Sequence, residues 1–152
     1  MFTQIGIMIA VPPVLLAVLG VKLCDDDLGM IEAAAKGFLE AGADFLIFTG
    51  GMSVDPDDLT PTAIRLLGAE IVTHGVPSQP GNMTLVAYLG SCAILGVPGA
   101  AISLPTTMFD VLLPQIYTGD RLTKQDLVNL GEGGLCQQCK ACHFPNCTFG
   151  RY

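Results

Sequence analysis

Two unbroken apolar runs constrain the fold of this chain more than any other feature. The first extends from Gln4 to Ala10 and the second from Asp44 to Thr49, and both are shorter than an ordinary helix. Runs of this kind are typical of strands that are covered on both faces in a parallel sheet. We therefore expect both segments to be interior strands of an α/β protein.

Segments with helical patterning alternate with the predicted strands. Helices are predicted from Val11 to Gly20, from about Leu28 to Ala41, from Asp58 to Gly68, from Thr106 to Tyr117 and from Thr123 to Asn129. Further strands are predicted at Val21 to Cys24, Ala69 to Thr73, Thr84 to Tyr88 and Cys92 to Leu95. This alternation predicts a three-layer α/β/α sandwich with a mostly parallel sheet.

Four of the six cysteines lie near the C-terminus, at Cys136, Cys139, Cys142 and Cys147. Gaps of two, two and four residues are typical of metal ligands, because such short loops let thiolates converge and would strain local disulfides. An iron–sulfur cluster and a structural zinc ion are both open, since each takes four thiolates, and an unligated, disordered tail is the third alternative.

A glycine-rich turn at residues 131–134 precedes these cysteines. Because glycine turns interrupt regular structure, we expect this one to separate the cysteine tail from the main body. The sequence therefore predicts an α/β domain at residues 1–120 and a C-terminal extension with a metal motif at residues 121–152.

The composition excludes some classes of protein and favours others. The net charge is −7, so phosphate backbones would be repelled and we expect no nucleic-acid partner. Charged residues make up only 14% of the 152 positions, which leaves little polar surface. We therefore expect a buried interface between copies of the chain, in a homo-oligomer.

The segment from Met1 to Val21 carries no charged side chain, which raises a membrane span or a secretory signal as alternatives. Pro12 and Pro13 would interrupt a spanning helix, and no basic residues precede the apolar run as they do in a signal peptide. We expect no membrane association. A cysteine pattern that requires reduced thiols then indicates the cytoplasm.

The stretch that follows the second apolar run carries a signal for ligand binding. Gly50 and Gly51 come directly after the predicted strand, so the backbone can turn sharply and approach a ligand closely. The amides ahead of the next helix would face an anion, and Ser53 adds a hydroxyl donor. A strand followed by two glycines also occurs for purely structural reasons in many α/β folds.

The longer pattern resembles the molybdopterin-binding domain family, which includes molybdopterin adenylyltransferases and molybdenum-insertion enzymes. Four motifs in the same order carry the resemblance: Asp26-Asp27, the loop from Thr49 to Pro61 with Asp58-Leu59-Thr60-Pro61 at its end, Pro80-Gly81-Asn82-Met83, and Gly96-Val97-Pro98-Gly99. The resemblance covers most of residues 5–118. The cysteine tail is similar to that of one bacterial and archaeal branch of the family.

The resemblance implies that the chain binds molybdopterin or its adenylylated form, in molybdenum cofactor synthesis or in delivery to a molybdoenzyme. The implied cofactor-binding residues are Thr49, Gly50, Gly51, Ser53, Asp55, Pro80, Gly81, Pro98 and Gly99, with Gly50, Gly51 and Ser53 on the phosphate side. Asp26 and Asp58 match the family's functional carboxylates and would hold Mg²⁺ in an adenylyl or molybdate transfer. Capping of the helices that they precede is the alternative role for both.

The chain also departs from the family pattern. Pro12-Pro13 stands where the family has a polar loop and a longer helix, and Ala100-Ala101 stands where the insertion enzymes have an amide side chain and a proline. Whether the chain acts as a transferase is therefore open. Part of the family's first loop and helix is missing, which is consistent with a fragment of a longer protein. A metal-binding interaction protein without a working pterin pocket is the alternative function.

Overall fold

The computed structural model of the chain describes residues 4–10, 17–53 and 55–151, the first of these ranges by its backbone alone. The strands are β1 (Gln4–Ala10), β2 (Ala17–Cys24), β3 (Phe45–Thr49), β4 (Glu70–His74), β5 (Leu85–Leu89) and β6 (Cys92–Val97). The helices are α1 (Leu28–Glu40), α2 (Thr60–Leu66), α3 (Ala100–Ser103), α4 (Met108–Tyr117) and α5 (Lys124–Asn129). The α/β class predicted from the alternating pattern is confirmed.

The six strands form one sheet in the order β2-β1-β3-β6-β5-β4. β3 and β6 run parallel, with Ile47 opposite Leu95, whereas the other neighbouring pairs are antiparallel. The prediction of a mostly parallel sheet is therefore wrong. The connection between β5 and β6 shows one reason, because its two residues, Gly90 and Ser91, can join only antiparallel strands.

Helices cover both faces of the sheet, which confirms the three layers. Phe45, Val86 and Leu95 lie in one core with the buried side chains of α4 and α5. Leu46, Ala87 and Ile94, their neighbours along the same strands, lie in a second core with α1 and α2. Alternate strand residues thus face opposite layers, as the two-residue period of a strand requires.

The N-terminal part differs from the sequence prediction. The predicted helix from Val11 to Gly20 lies partly outside the described residues, and its described end, 17–20, is strand instead. β2 extends through the predicted Val21 to Cys24 strand and pairs with β1, which satisfies its backbone groups. A Cβ at Gly20 would lie 3.0 Å from the Phe38 ring, so glycine lets α1 pack closely on the strand.

Side-chain caps set where α1, α4 and α5 begin. Asp27 caps α1, since its carboxylate accepts a 2.7 Å hydrogen bond from the Met30 amide. Thr107 and Asp110 form a capping box at the start of α4, and Thr123 and Asp126 form another at α5. None of the helices within the described ranges is long and apolar enough to cross a membrane.

The C-terminal segment packs into the main body. Leu122, Leu127, Leu130 and Phe149 are buried in the core that also holds β5, β6 and α4, and Phe149 is only 3% exposed. The expectation that residues 131–134 separate the tail from the body is therefore wrong, because the chain returns to the core beyond that turn. The division of the chain at residue 120 stays a prediction.

Candidate functional site: the carboxyl edge of the sheet

Three strands end at the same edge of the sheet. β2 and β3 are both antiparallel to β1, with Cys24 opposite Gln4 and Thr49 opposite Ile5. β6 runs parallel to β3, and its last residue, Val97, lies opposite Thr49. The loops that follow β2, β3 and β6 therefore emerge side by side.

The loop between β4 and β5 lies at this edge as well. His74 at the end of β4 is opposite Leu85, and Leu85 at the start of β5 is opposite Gly96 near the end of β6. We call the four loops 25–27, 50–59, 75–84 and 98–99 the carboxyl edge. Ligands of open α/β sheets bind outside the carboxyl ends of the strands. The predicted binding motifs therefore lie where a ligand is expected to bind.

The double-glycine turn after β3 is held at Gly50 through both its amide and its carbonyl. Gly50 and Gly51 have φ of +82° and +58°, which glycine adopts without the strain of an L side chain. The Gly50 amide donates to the Val97 carbonyl of β6 at 3.4 Å. The buried Thr60 hydroxyl, at the start of α2, donates to the Gly50 carbonyl at 3.1 Å.

The loop beyond the turn is closed by an aspartate. The Ser53 amide donates a 2.6 Å hydrogen bond to a carboxylate oxygen of Asp58. The amides of Gly50 and Ser53 thus already have acceptors within the chain, contrary to the expectation that they face an anion. The phosphate-side prediction then rests on the Gly51 amide and on the hydroxyl of Ser53, which is exposed.

The buried side chain of Met52 packs the same loop against β6. Its side chain is 2% exposed and its Sδ and Cε atoms fill the space that a Cβ on Gly96 would need. His74 Nε2 lies 3.1 Å from the Met52 carbonyl oxygen, so the end of β4 is linked to the loop after β3. Met52 therefore has a packing role, and the imidazole of His74 contacts the loop backbone.

The two predicted carboxylates lie at the starts of neighbouring helices. Asp26 precedes the capping residue Asp27 and is exposed, while Asp58 precedes α2, whose N-cap has no side-chain hydrogen bond. The N-cap positions of these two helices are occupied by Asp27 and Leu59, so neither Asp26 nor Asp58 is an N-cap residue. Leu28 and Leu59, at the starts of α1 and α2, pack against one small core, so the two helix starts lie on the same side of the sheet.

The Pro80-Gly81 loop is held against α4. Gly81 is buried with φ of +102°, and a Cβ there would lie only 3.0 Å from the Met108 nitrogen. The Met108 amide donates to the Pro80 carbonyl at 3.0 Å, and the Thr84 hydroxyl donates to the Gly81 carbonyl at 2.6 Å. This loop has little freedom to move without disturbing the start of α4.

The loop after β6 is the open part of the edge. Gly99 is exposed, and a Cβ at this position would meet no atom within 4 Å. Pro98 is partly buried, and Ala100-Ala101 open the short helix α3, which the sequence did not predict. The backbone of Gly99 is therefore open to close approach by another group.

The carboxyl edge is acidic. Its loops carry aspartates at positions 25, 26, 27, 55, 57 and 58, and Asp55 is exposed. Carboxylates so close to the expected phosphate position would repel it in the absence of a cation. Any phosphorylated ligand at this edge therefore requires a divalent metal ion or a binding pose that keeps its phosphate on the glycine turn.

The four tail cysteines surround one cavity of about 190 Å³ between the tail and the body. Cys136, Cys139, Cys142 and Cys147 are free thiols, and all of them line it together with His143 and Thr106. Among the described residues, no three His, Cys, Asp or Glu side chains are grouped closely enough to hold a metal ion. The metal site predicted from the cysteine spacing therefore stays a prediction.

One thiol of the cavity has a hydrogen-bonded partner in the body. The Thr106 hydroxyl oxygen lies 3.1 Å from the Cys142 sulfur, although the two residues are far apart in sequence. This contact and, secondly, the Phe144 backbone lower the pKa of Cys142. A lowered pKa favours the thiolate, which is the form that binds metals.

The fold and the edge together define an α/β ligand-binding domain whose motif loops meet at the carboxyl ends of its strands. The family model described as "Probable molybdopterin binding domain" matches residues 15–139. Because this match covers most of the chain, the chain belongs to the molybdopterin-binding domain family, as the motifs had indicated.

Two curated relatives carry the same name. The chain is 36% identical over 74 residues to a molybdopterin molybdenumtransferase of Bacillus subtilis (strain 168), which covers 49% of this chain and 17% of the relative. It is 31% identical over 91 residues to a molybdopterin molybdenumtransferase of Synechococcus elongatus, which covers 59% of this chain and 23% of the relative. The chain thus matches about a fifth of the length of each relative.

Proposed function

We propose that the chain binds molybdopterin at the carboxyl edge and acts in molybdenum cofactor synthesis or in delivery of the cofactor to a molybdoenzyme. Membership of the molybdopterin-binding domain family supports the ligand. The observation that carries the location is the strand register, which brings all four motif loops to one edge of the sheet. Family membership also favours this function over a metal-binding interaction protein that lacks a pterin pocket.

The carboxyl edge offers different groups to the phosphate and to the pterin of the ligand. The Gly51 amide and the Ser53 hydroxyl are the proposed donors for the phosphate, on the turn whose positive φ angles allow close approach. The exposed Asp55 carboxylate and the Thr49 hydroxyl are the proposed partners of the pterin nitrogens. We place the bulk of the ring system beside Gly99, where an added Cβ would meet no atom within 4 Å.

A magnesium ion is part of this proposal. Mg²⁺ is usually bound by one or two carboxylates together with phosphate oxygens and waters, rather than by a complete protein cage. Asp26 and Asp58 are the proposed protein ligands, and the ion offsets the repulsion between the acidic loops and the phosphate. If the chain transfers an adenylyl or molybdate group, these same carboxylates are the proposed catalytic residues.

The test is a molybdopterin titration followed by fluorescence, with and without Mg²⁺. We expect saturable binding that weakens about tenfold in Ser53→Ala, since a hydrogen bond to a charged group contributes about 1.5 kcal/mol or more. Asp26→Asn is expected to reduce the effect of Mg²⁺. Asp120→Asn, an exposed aspartate beyond α4, is the matched control and should bind as the unaltered chain does. No binding by the unaltered chain would refute the proposal.

We propose a second feature, a metal site in the tail. Cys136, Cys139, Cys142 and Cys147 line one cavity as free thiols, so four ligands are available without breaking any disulfide. An iron–sulfur cluster and zinc both accept four thiolates. Free thiols are typical of reducing compartments and support a cytoplasmic location. Metal analysis of anaerobically purified protein tests the site.

We also propose that the chain forms a homo-oligomer through β2. Val18, Val21 and Leu23 on this strand are 59%, 55% and 54% exposed, and β2 has one neighbour in the described sheet. An apolar edge strand is a common site of pairing with a second copy. Native mass spectrometry should give more than one chain per particle, with a shift towards monomer in Val21→Lys. A monomeric unaltered chain would contradict this.

A further inference from the structure

The cavity between the tail and the body is larger than a single metal ion requires. Its volume is about 190 Å³, whereas one water molecule occupies about 30 Å³ in the liquid. Four Zn–S bonds of about 2.3 Å would draw all four sulfurs onto one point and leave no cavity among them. The described cysteines surround a space instead, and no three of the described metal-binding side chains converge on one ion.

We propose that this cavity is built for a polynuclear iron–sulfur cluster, and that the body supplies the Thr106 hydroxyl as a hydrogen-bond donor to the sulfur of Cys142. The inference rests on the proposed metal site of the tail and adds the kind of metal centre and a residue that tunes it. A cluster of several iron and sulfide ions fills a space that one zinc ion would leave empty.

The backbone around the cavity is fixed by contacts that need no metal. The Cys136 amide donates to the Gln79 carbonyl at 2.8 Å, which ties the first cysteine to the body. The Gly150 amide donates to the Gly133 carbonyl at 2.9 Å, which closes the tail into a loop. A Cβ at Gly133 would overlap the carbonyl oxygen of Thr148, so the two ends of this loop are in direct contact. The two ends of the tail loop that carries the four cysteines are therefore fixed before any cluster binds.

The lining of the cavity is partly apolar, and two of its four cysteines, Cys139 and Cys142, are exposed to solvent. Leu104, Pro105 and Phe144 line it along with the cysteines. Phe149, which is 3% exposed, lines it as well. Apolar walls and hydrogen bonds to the sulfurs are the features by which a protein sets the reduction potential of an iron–sulfur cluster. The Thr106 hydroxyl lies 3.1 Å from Cys142 Sγ, from where it can donate such a hydrogen bond to a thiolate that ligates the cluster.

The experiment compares metal loading of the whole chain under anaerobic conditions, with iron and sulfide in one sample and with zinc in another. We expect two or four iron ions and as many sulfides per chain, with visible absorption that dithionite bleaches. Cys147→Ser should lose the cluster, and Cys92→Ala, a buried thiol outside the tail, should keep it. Circular dichroism of each variant establishes that it is folded.

Thr106→Val tests the tuning residue separately. Because a hydrogen bond to sulfur stabilises the more negative reduced cluster, we expect Thr106→Val to keep the cluster but to lower its reduction potential. Thr62→Val, an exposed threonine on α2, should leave the potential unchanged. An unchanged potential in Thr106→Val would overturn the tuning role.

The outcomes distinguish the iron–sulfur inference from the broader proposal that the tail binds a metal. Tight binding of one zinc ion with no cluster from iron and sulfide would overturn the inference while leaving the tail a metal site. Binding of neither would overturn both. Molybdopterin binding at the carboxyl edge is measured independently and is affected by neither result.

Discussion

The Asp58 carboxylate accepts a 2.6 Å hydrogen bond from the Ser53 amide and so closes the loop that follows β3. Asp58 therefore has a positioning role in the free protein, in addition to the magnesium-binding role that we propose for it. A carboxylate has two oxygens and several lone pairs, so one oxygen can hold the loop while the other binds a cation.

The two roles of Asp58 are separable by substitution. Asp58→Ala removes the acceptor of the Ser53 amide and should lower the free energy of unfolding by about 1 kcal/mol. Asp58→Asn keeps an acceptor oxygen but loses the charge, so we expect nearly unchanged stability and a reduced effect of Mg²⁺ on molybdopterin binding. Urea unfolding and the binding titration give the two readouts, with Asp57→Ala as the control. Equal stability of Asp58→Ala and the control would rule out the positioning role.

The Pro80-Gly81 loop should tolerate a side chain poorly. Gly81→Ala has to adopt a positive φ, which costs an L residue about 1–2 kcal/mol, and its Cβ would also crowd the Met108 backbone. Gly90→Ala carries only the cost of the positive φ, because a Cβ at Gly90 meets no atom within 4 Å. We expect the larger loss of stability in Gly81→Ala when both are unfolded in urea. Similar losses would mean that the contact with α4 does not constrain the loop.

The buried thiol of Cys92 should make the protein less stable at alkaline pH. Burial, and secondly the charge of Asp44, raise the pKa of Cys92 from 9.0 to about 11. Between these values the unfolded chain loses the proton while the folded chain keeps it, so stability falls as the pH rises. Unfolding measured from about pH 8 to pH 11 should show a steeper decline in the unaltered chain than in Cys92→Ala. Parallel curves would contradict the assignment.

The tail should contribute to the stability of the body. Phe149 is 3% exposed in the main core, so Phe149→Ala is expected to cost about 3 kcal/mol. Phe144 is only partly buried against the same core, and Phe144→Ala should cost less. Thermal unfolding of both variants without metal provides the comparison. Near-equal melting temperatures of Phe149→Ala and the unaltered chain would show that the tail is independent.

Much of the fold follows from short-range sequence patterns. The apolar runs Gln4 to Ala10 and Asp44 to Thr49 predicted β1 and β3 closely, since a strand covered on both faces needs an unbroken apolar sequence. Strand direction was predicted less well, because periodicity does not report which neighbour a strand pairs with. Only the second half of β2 was predicted, since its large apolar residues are exposed and follow no clear alternation.

The candidate site was predictable in its loops and less so in its contacts. The motifs identified the glycine turn, and the strand register then brought it next to Pro98-Gly99. The Ser53–Asp58 and Thr106–Cys142 contacts had no signal in the sequence, because both depend on how loops fold back in space. The contact between Thr106 and Cys142 forms only because the tail packs against the body, whereas the glycine turn had predicted a separate tail.

Hydrogen exchange with and without molybdopterin and Mg²⁺ tests the central claim most directly. If the ligand lies at the carboxyl edge, amides in loops 25–27, 50–59 and 98–99 should exchange more slowly in its presence. The Gly90-Ser91 turn, at the opposite edge, should be unaffected. Saturating ligand without protection of the loop after β3, or with protection confined to the opposite edge, would contradict the account.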